Sequence, residues 1–366
     1  MRTLLVTGPG GSGKTAIASA TALKAARDGL RTLLVTGDAV ADPPGVTVTR
    51  LTPADDFRTD FLALQERAAS GLDLLGASRL DSDELTPLPG SDELALLRAL
   101  RDSAEGPHDL VVVDLPAAPR AVSLLALPEQ LRRYLRRLLP AERQAARALR
   151  PVLGRLAGVP MPTEWLYEAA ARWDTELAAA QAVIDADTTS VRLVVEPTPA
   201  ATATLRTTRA GLALHGLRVE SVLANRVLPD GSTDPWLADA AARQRKVIAA
   251  WEHPAHELPH LGRDPHGDDL DVPPPATPAA RATWPVEDRL AADGVLVWRI
   301  SLPGAVREEL SLVRRGDELV VGAGPFRRIV PLPSAPRRCT VAGAGLVDGE
   351  LCVRFAPDPD LWPQGR

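Results

Sequence analysis

Eight residues near the start of the chain, "GPGGSGKT", fit the spacing G-x-x-x-x-G-K-[ST] from Gly8 to Thr15. Glycines at such positions let backbone N–H groups approach phosphate oxygens, and a helix that starts there adds partial positive charge. Lys14 would reach the outer phosphates of a nucleotide, and the Thr15 hydroxyl would ligate Mg²⁺. Gly8, Gly10, Gly11, Ser12, Gly13, Lys14, Thr15 and Ala16 are therefore the candidate nucleotide-holding residues. The bland alternative is a glycine-rich turn without a ligand. Lysine is scarce in this chain, occurring only at positions 14, 24 and 246, while arginine is abundant; Lys14 is thus an informative residue. Asp38 and Asp114 each end a predicted strand. At the carboxyl edge of one parallel sheet, one aspartate can hold the Mg²⁺ shell and another can orient the attacking water. As strand-ending turn residues, both also have an ordinary explanation.

These residues need a scaffold. The sequence predicts strands over 3–7, 31–36, 46–51, 109–114, 191–196 and 219–225, with helices between them. The first helix runs from Lys14 to Asp28 with Gly29 as its stop, and Ser91 is expected to cap another whose first turn holds Asp92 and Glu93. Apolar strands alternating with helices imply an α/β fold, a parallel sheet covered on both faces. Between 128 and 188 no strand is expected. Leu131, Tyr134, Leu135, Leu138 and Leu139 share a helical face, and Leu149, Val152, Leu153 and Leu156 repeat it, so this stretch reads as a helical insertion. Residues 266–285 read as a proline-rich linker. From 286 to 366 the period changes to two, with short strands separated by Gly and Pro turns, the signature of an all-β sandwich.

The totals bound the function. The chain has 366 residues, enough for two or three domains, and a net charge of -5, which gives no argument for nucleic acid. No run of 18 apolar residues and no signal peptide is present, and Cys339 and Cys352 form no framework, so a cytoplasmic protein without a membrane span is expected. The histidines at 253, 256, 260 and 266 are interrupted by Pro254 and Pro259, which argues against a metal site. The arginines from 132 to 155 alternate with leucines and read as a solvated helix face.

Taken together, "RTLLVTGD" (31–38), "LPGSDELALLRAL" (88–100), "VVVDLPAAPRAVSLLALP" (111–128) and "VLANRVLP" (222–229) resemble segments of the arsenite-pump and tail-anchored-protein-targeting ATPases, over about 1–265. The resemblance implies a P-loop ATPase that uses ATP and Mg²⁺ and works as a dimer. Lys14 would act on the phosphates, Thr15 and Asp114 at the Mg²⁺ site, Asp38 on water and Asn225 on adenine. It also implies a homodimer, or a heterodimer with a related ATPase, that holds an apolar protein client in a chaperone-like way. The departures are specific. Ala39, Val40 and Ala41 replace the end of the first switch; Leu115, Pro119 and Arg120 replace Thr, Gly and His of the second. Pro9 stands where the family has a lysine that reaches the partner's phosphates; Arg27, Arg31 and Arg120 are conceivable substitutes. ATP binding is thus implied more firmly than fast hydrolysis. A non-hydrolysing subunit that regulates a paralogous ATPase is the alternative, and a P-loop kinase ranks third. Similarly, "ISLPG", "RRGDELVV", "FRRIVPLPS" and "AGLVDGEL" resemble the α-crystallin domain of small heat-shock proteins, without its C-terminal Ile-x-Ile anchor.

Overall fold

The computed structural model describes residues 1–67, 69, 78–139, 164–251, 253–266, 268–277 and 280–362. Seven parallel strands form its central sheet: β1 (Arg2–Thr7), β2 (Thr32–Thr36), β3 (Val46–Arg50), β4 (Leu110–Asp114), β5 (Thr189–Val195), β6 (Val219–Val227) and β7 (His256–Pro259). Their order is β3-β2-β4-β1-β5-β6-β7. β1 pairs with β4 on one side and β5 on the other, so the loop after β1 opens at the centre of the carboxyl edge.

Period-two alternation sorts the side chains onto the two faces. Leu4, Val6, Leu34 and Val112 pack under α1 (Lys14–Arg27). Leu5, Val35, Val111 and Val113 face the other way, against α3 (Ser91–Ser103), α4 (Ala118–Leu138), α5 (Glu164–Asp185) and α6 (Pro199–Leu214). α2 (Pro53–Arg67) buries no residue, so its sequence carries little core-facing signal. α7 (Pro235–Ala249) follows β6 and starts at Asp234, whose side chain accepts from Leu237 N–H.

Ser91 is not the cap expected for α3. Gly90 holds the cap position at φ 103°, and Ser91 is the first helical residue, its hydroxyl closing the turn onto the Leu88 carbonyl at 2.6 Å. A left-handed cap backbone suits glycine, which displaces serine from the position. The reading from the residues also missed β7: four residues at the sheet edge, flanked by prolines, are too few to show a period. Within 128–188, α4 and α5 occupy the described part; Leu149, Val152, Leu153 and Leu156, and the arginines from 143 to 155, lie outside the described residues.

The proline-rich stretch runs pressed against the sheet's α1 side. Val272 is fully buried. Arg192, itself fully buried on β5, donates to the carbonyls of Pro273 (3.0 Å) and Pro274 (3.3 Å), and Glu220 neutralises it at 2.7 Å. Lys24 holds the Val272 carbonyl at 2.8 Å, and Arg2 holds that of Pro275 at 2.9 Å.

After it come two antiparallel sheets. β10 (Leu310–Arg315), β11 (Glu318–Ala323) and β12 (Phe326–Pro331) form one. β13 (Cys339–Val347), β14 (Glu350–Pro357), β9 (Val295–Ser301) and β8 (Val286–Arg289) form the other, in that order. Trp298, Ile300, Val321, Val353 and Phe355 fill the space between and join the core of the α/β body. The seam is tight. A Cβ on Gly211 of α6 would meet the Phe326 ring at 2.4 Å, and Arg328 of β12 pairs with Glu129 of α4 at 3.1 Å. Among the described residues no helix is long and apolar enough to cross a membrane.

Candidate functional site

The loop between β1 and α1 is shaped by its glycines. A Cβ on Gly8 would come within 1.8 Å of the Val194 carbonyl oxygen, so no side chain fits. Gly11 (φ 76°) and Gly13 (φ 87°) take left-handed backbone. Gly10 is different: nothing lies within 4 Å of an added Cβ, so the protein itself does not demand glycine there. Ser12 is buried, with its hydroxyl lacking a protein partner. α1 begins at Lys14 with no side-chain cap and no acidic residue in its first turn. Its leading N–H groups and the positive end of its dipole are therefore left for an anion.

Around that helix start the functional side chains converge. Lys14 Nζ folds back across the loop and donates to the Pro9 carbonyl at 3.3 Å. Thr15 Oγ1 donates to Asp38 Oδ2 at 2.8 Å. Thr36 Oγ1 donates to Asp114 Oδ2 at 3.0 Å and accepts from Asp38 N–H at 3.1 Å, tying the two strand ends together. Asp114 is buried, and its Oδ1 has no protein partner. Burial pushes the Asp114 carboxyl above the usual carboxylate range; the hydroxyls of Thr15 and Thr36 pull against that, and the nearby Asp38 charge adds to it. Lys14, Thr15, Asp38, Asp114 and Arg120 line one cavity of about 330 Å³.

Behind the loop, Asn225 is nearly buried and its Nδ2 donates to the Ser12 carbonyl at 2.8 Å. A Cβ on Gly13 would meet that nitrogen at 2.4 Å. Gly13, Ala16, Asn225, His260 and Leu261 line a narrow pocket of about 40 Å³. The structure thus places Lys14, Thr15, Asp38 and Asp114 on one space and Gly13, Ala16 and Asn225 on a second beside it.

Two residues without an assigned role in the sequence join the site. Arg226 takes φ 58°, unusual for a side-chain-bearing residue, and its Nη1 reaches the Gly11 carbonyl at 3.0 Å and Glu196 at 3.1 Å. Thr36 bridges the aspartates as above. Its only sequence signal is a hydroxyl two residues before the strand-ending Asp38. The arginines weighed against Pro9 part company. Arg27 pairs with Asp268 at 2.6 Å, a full helix away from the loop, and Arg31 pairs with Asp109 at the opposite ends of β2 and β4. Only Arg120 stands at the cavity. Among the described residues no group of three or more His, Cys, Asp or Glu side chains is placed to hold a metal ion.

Comparison with known proteins agrees with this geometry. The anion-transporting ATPase family matches residues 1–42 and 49–259, and the HSP20-like domain found in ArsA matches 293–355. An uncharacterised protein of Streptomyces coelicolor is 62% identical, with all of both chains covered. A protein of Mycobacterium tuberculosis is 31% identical, covering 99% of this chain and 97% of its own. A protein of Aquifex aeolicus named "Putative arsenical pump-driving ATPase 1" is 26% identical, covering 96% of this chain and 99% of its own. With a P-loop-type parallel sheet, a cavity at its carboxyl edge and an HSP20-like pair of sheets behind it, the chain belongs to the anion-transporting ATPase family, in the form that carries the HSP20-like domain found in ArsA.

Proposed function

We propose that this chain binds MgATP at the loop of residues 8–15 and hydrolyses it slowly, so that the nucleotide acts mainly as a conformational signal. The observation that supports this most is the pairing of an uncapped, glycine-built helix start with a buried aspartate whose Oδ1 has no partner. An unsatisfied buried carboxylate oxygen is costly unless something fills its place, and a cation shell is a natural occupant. The residues present therefore fit both a triphosphate and Mg²⁺. Lys14 and the loop amides would hold the phosphates; Thr15 and Asp114 would serve the Mg²⁺ shell, Asp38 would position water, and Asn225 would contact the base. Bound MgATP supplies the electrophilic phosphorus and the metal's charge. Pro9 contributes neither charge nor N–H at a place where a second lysine would supply both.

The chain is read as one half of a dimer, with a second copy or with a related ATPase that carries the missing lysine. Tyr134 and Leu138, exposed on α4, give apolar surface suited to an apolar protein segment. Arsenite capture by a thiolate cluster is disfavoured, because the two cysteines are in β13 and β14, far along the chain from the loop. The non-hydrolysing regulator remains the second reading, and Pro9 is the specific feature that favours it. Calorimetric titration with MgADP tests the binding claim. Lys14→Ala should weaken binding at least about tenfold, the effect of losing one charge-assisted phosphate contact; equal binding by the variant contradicts it.

A further inference from the structure

A second cation stands at the rim of the 330 Å³ cavity, and two carboxylates hold it. Arg120 lies in the first turn of α4. Three hydrogen bonds fasten the segment leading into that helix to the loop strand: Leu115 N–H to the Val6 carbonyl (2.9 Å), Thr7 Oγ1 to the Pro116 carbonyl (2.8 Å), and Ala118 N–H to the Gly8 carbonyl (2.9 Å). The backbone that carries Arg120 is therefore fixed relative to the phosphate loop, and its long side chain is free to choose partners. It now donates through Nε to Glu93 Oε1 at 2.7 Å and through Nη2 to Asp92 Oδ2 at 3.0 Å. Both acids sit in the first turn of α3, and the Arg120 hydrogen bond holds the Glu93 carboxyl below the usual carboxylate range. Arg120 and Asp92 are more than half exposed, so that pair opens at little cost, while Glu93, only 19% exposed, is the firmer half of the latch.

We propose that Arg120 is the cavity's triphosphate sensor: latched by Asp92 and Glu93 when the site is empty, and transferred to the terminal phosphate when a nucleoside triphosphate binds. This rests on the reading that residues 8–15 hold a nucleotide. The loop amides grip the inner phosphates, which leaves the terminal one projecting toward the strand-end side where Asp38, Asp114 and Arg120 gather. A planar guanidinium suits that group as well as it suits carboxylates. Because a diphosphate has no such terminal group, the exchange favours ATP over ADP. It also converts triphosphate occupancy into release of the α3 acids from α4, the helix that carries Glu129, Arg133 and Arg137 against the HSP20-like sheets.

The test is a set of dissociation constants, measured by calorimetry for MgADP and for a non-hydrolysable MgATP analogue, on the full chain. Wild type, Arg120→Ala, the double variant Asp92→Asn/Glu93→Gln, and Lys14→Ala are compared. Releasing the latch should tighten the analogue about three- to tenfold and leave MgADP within about twofold, the range expected for freeing Arg120 from two ion pairs, one exposed and one half-buried. Arg120→Ala should weaken the analogue by a similar factor and spare MgADP. If wild type binds both ligands through Lys14 but neither Arg120→Ala nor the double variant changes the analogue-to-ADP ratio, the sensor is wrong while the nucleotide site stands. If Lys14→Ala binds as wild type does, the site reading falls and takes the sensor with it.

Discussion

The two sides of the cavity are built in different ways. On the loop side, position and shape come from backbone: Gly8 packs against the Val194 carbonyl, Gly11 and Gly13 hold left-handed turns, and the helix start is uncapped. On the switch side they come from side chains: Thr36 ties Asp38 to Asp114, and Arg120 leans on Asp92 and Glu93. At Gly8, Gly11 and Gly13 the backbone construction tolerates almost no substitution, because an added Cβ collides or strains. Side-chain constructions can be rewired one residue at a time. The loop side therefore rests on Gly8, Gly11 and Gly13, and the switch side on Thr36, Asp38, Asp114 and Arg120.

The contrast predicts a graded set of responses. The largest belongs to Gly8→Ala. Relief of a Cβ–oxygen approach of 1.8 Å to a carbonyl of β5 requires the loop or the strand to move. We expect a loss of about 3 kcal/mol, the upper range of overpacking, seen as a lower denaturation midpoint together with loss of nucleotide binding. A stable, binding-competent Gly8→Ala protein would break the comparison on its rigid side. Gly10→Ala is the control: with no atom within 4 Å it should fold normally, and any loss would appear only with nucleotide present.

Asp114→Asn comes next. Its folded carboxyl is raised above the unfolded value of 3.8, chiefly by burial. The folded protein therefore holds more protons than the unfolded one between 3.8 and the raised value. Stability of the nucleotide-free wild type should fall as pH rises through that window and level off above it. Asp114→Asn should remove this pH dependence in thermal melts and make the empty protein more stable at pH 7. It should also lower the Mg²⁺-dependent part of nucleotide affinity by about tenfold or more. A wild type whose stability is flat across the window would contradict the buried-carboxylate account.

The smallest effect falls to Thr36→Val. It removes a hydrogen bond of 3.0 Å to the Asp114 carboxyl and the acceptor for Asp38 N–H. A stability loss of about 1 kcal/mol and a few-fold drop in Mg²⁺-dependent affinity are expected. An effect as large as that of Asp114→Asn would mean that the hydroxyl, rather than the carboxylate, organises the switch side.

The same contrast marks what could be read from residues alone. The loop was legible because its glycines have backbone reasons and its context, strand then helix, is short-range. The all-β character of residues beyond 286 was legible from short strands between Gly and Pro turns, with β10 alternating cleanly between half-buried and exposed residues. The contacts that staple distant parts were not. Nothing local announces that Arg192 reaches Pro273 and Pro274 from the middle of a strand, that Arg226 supports the Gly11 carbonyl, or that Phe326 needs Gly211 opposite it. Ser91 misled because serine is a common cap, and the preceding Gly90 had a better claim through its left-handed backbone.

The most direct measurement of the central claim is a single-turnover experiment: radiolabelled ATP with excess wild-type protein and Mg²⁺, quenched over time. Protein-bound label should stay ATP for minutes, because the loop holds the phosphates while position 9 supplies no second charge. Conversion at rates of ~1–10³ s⁻¹, the ordinary range of enzymes, would contradict it.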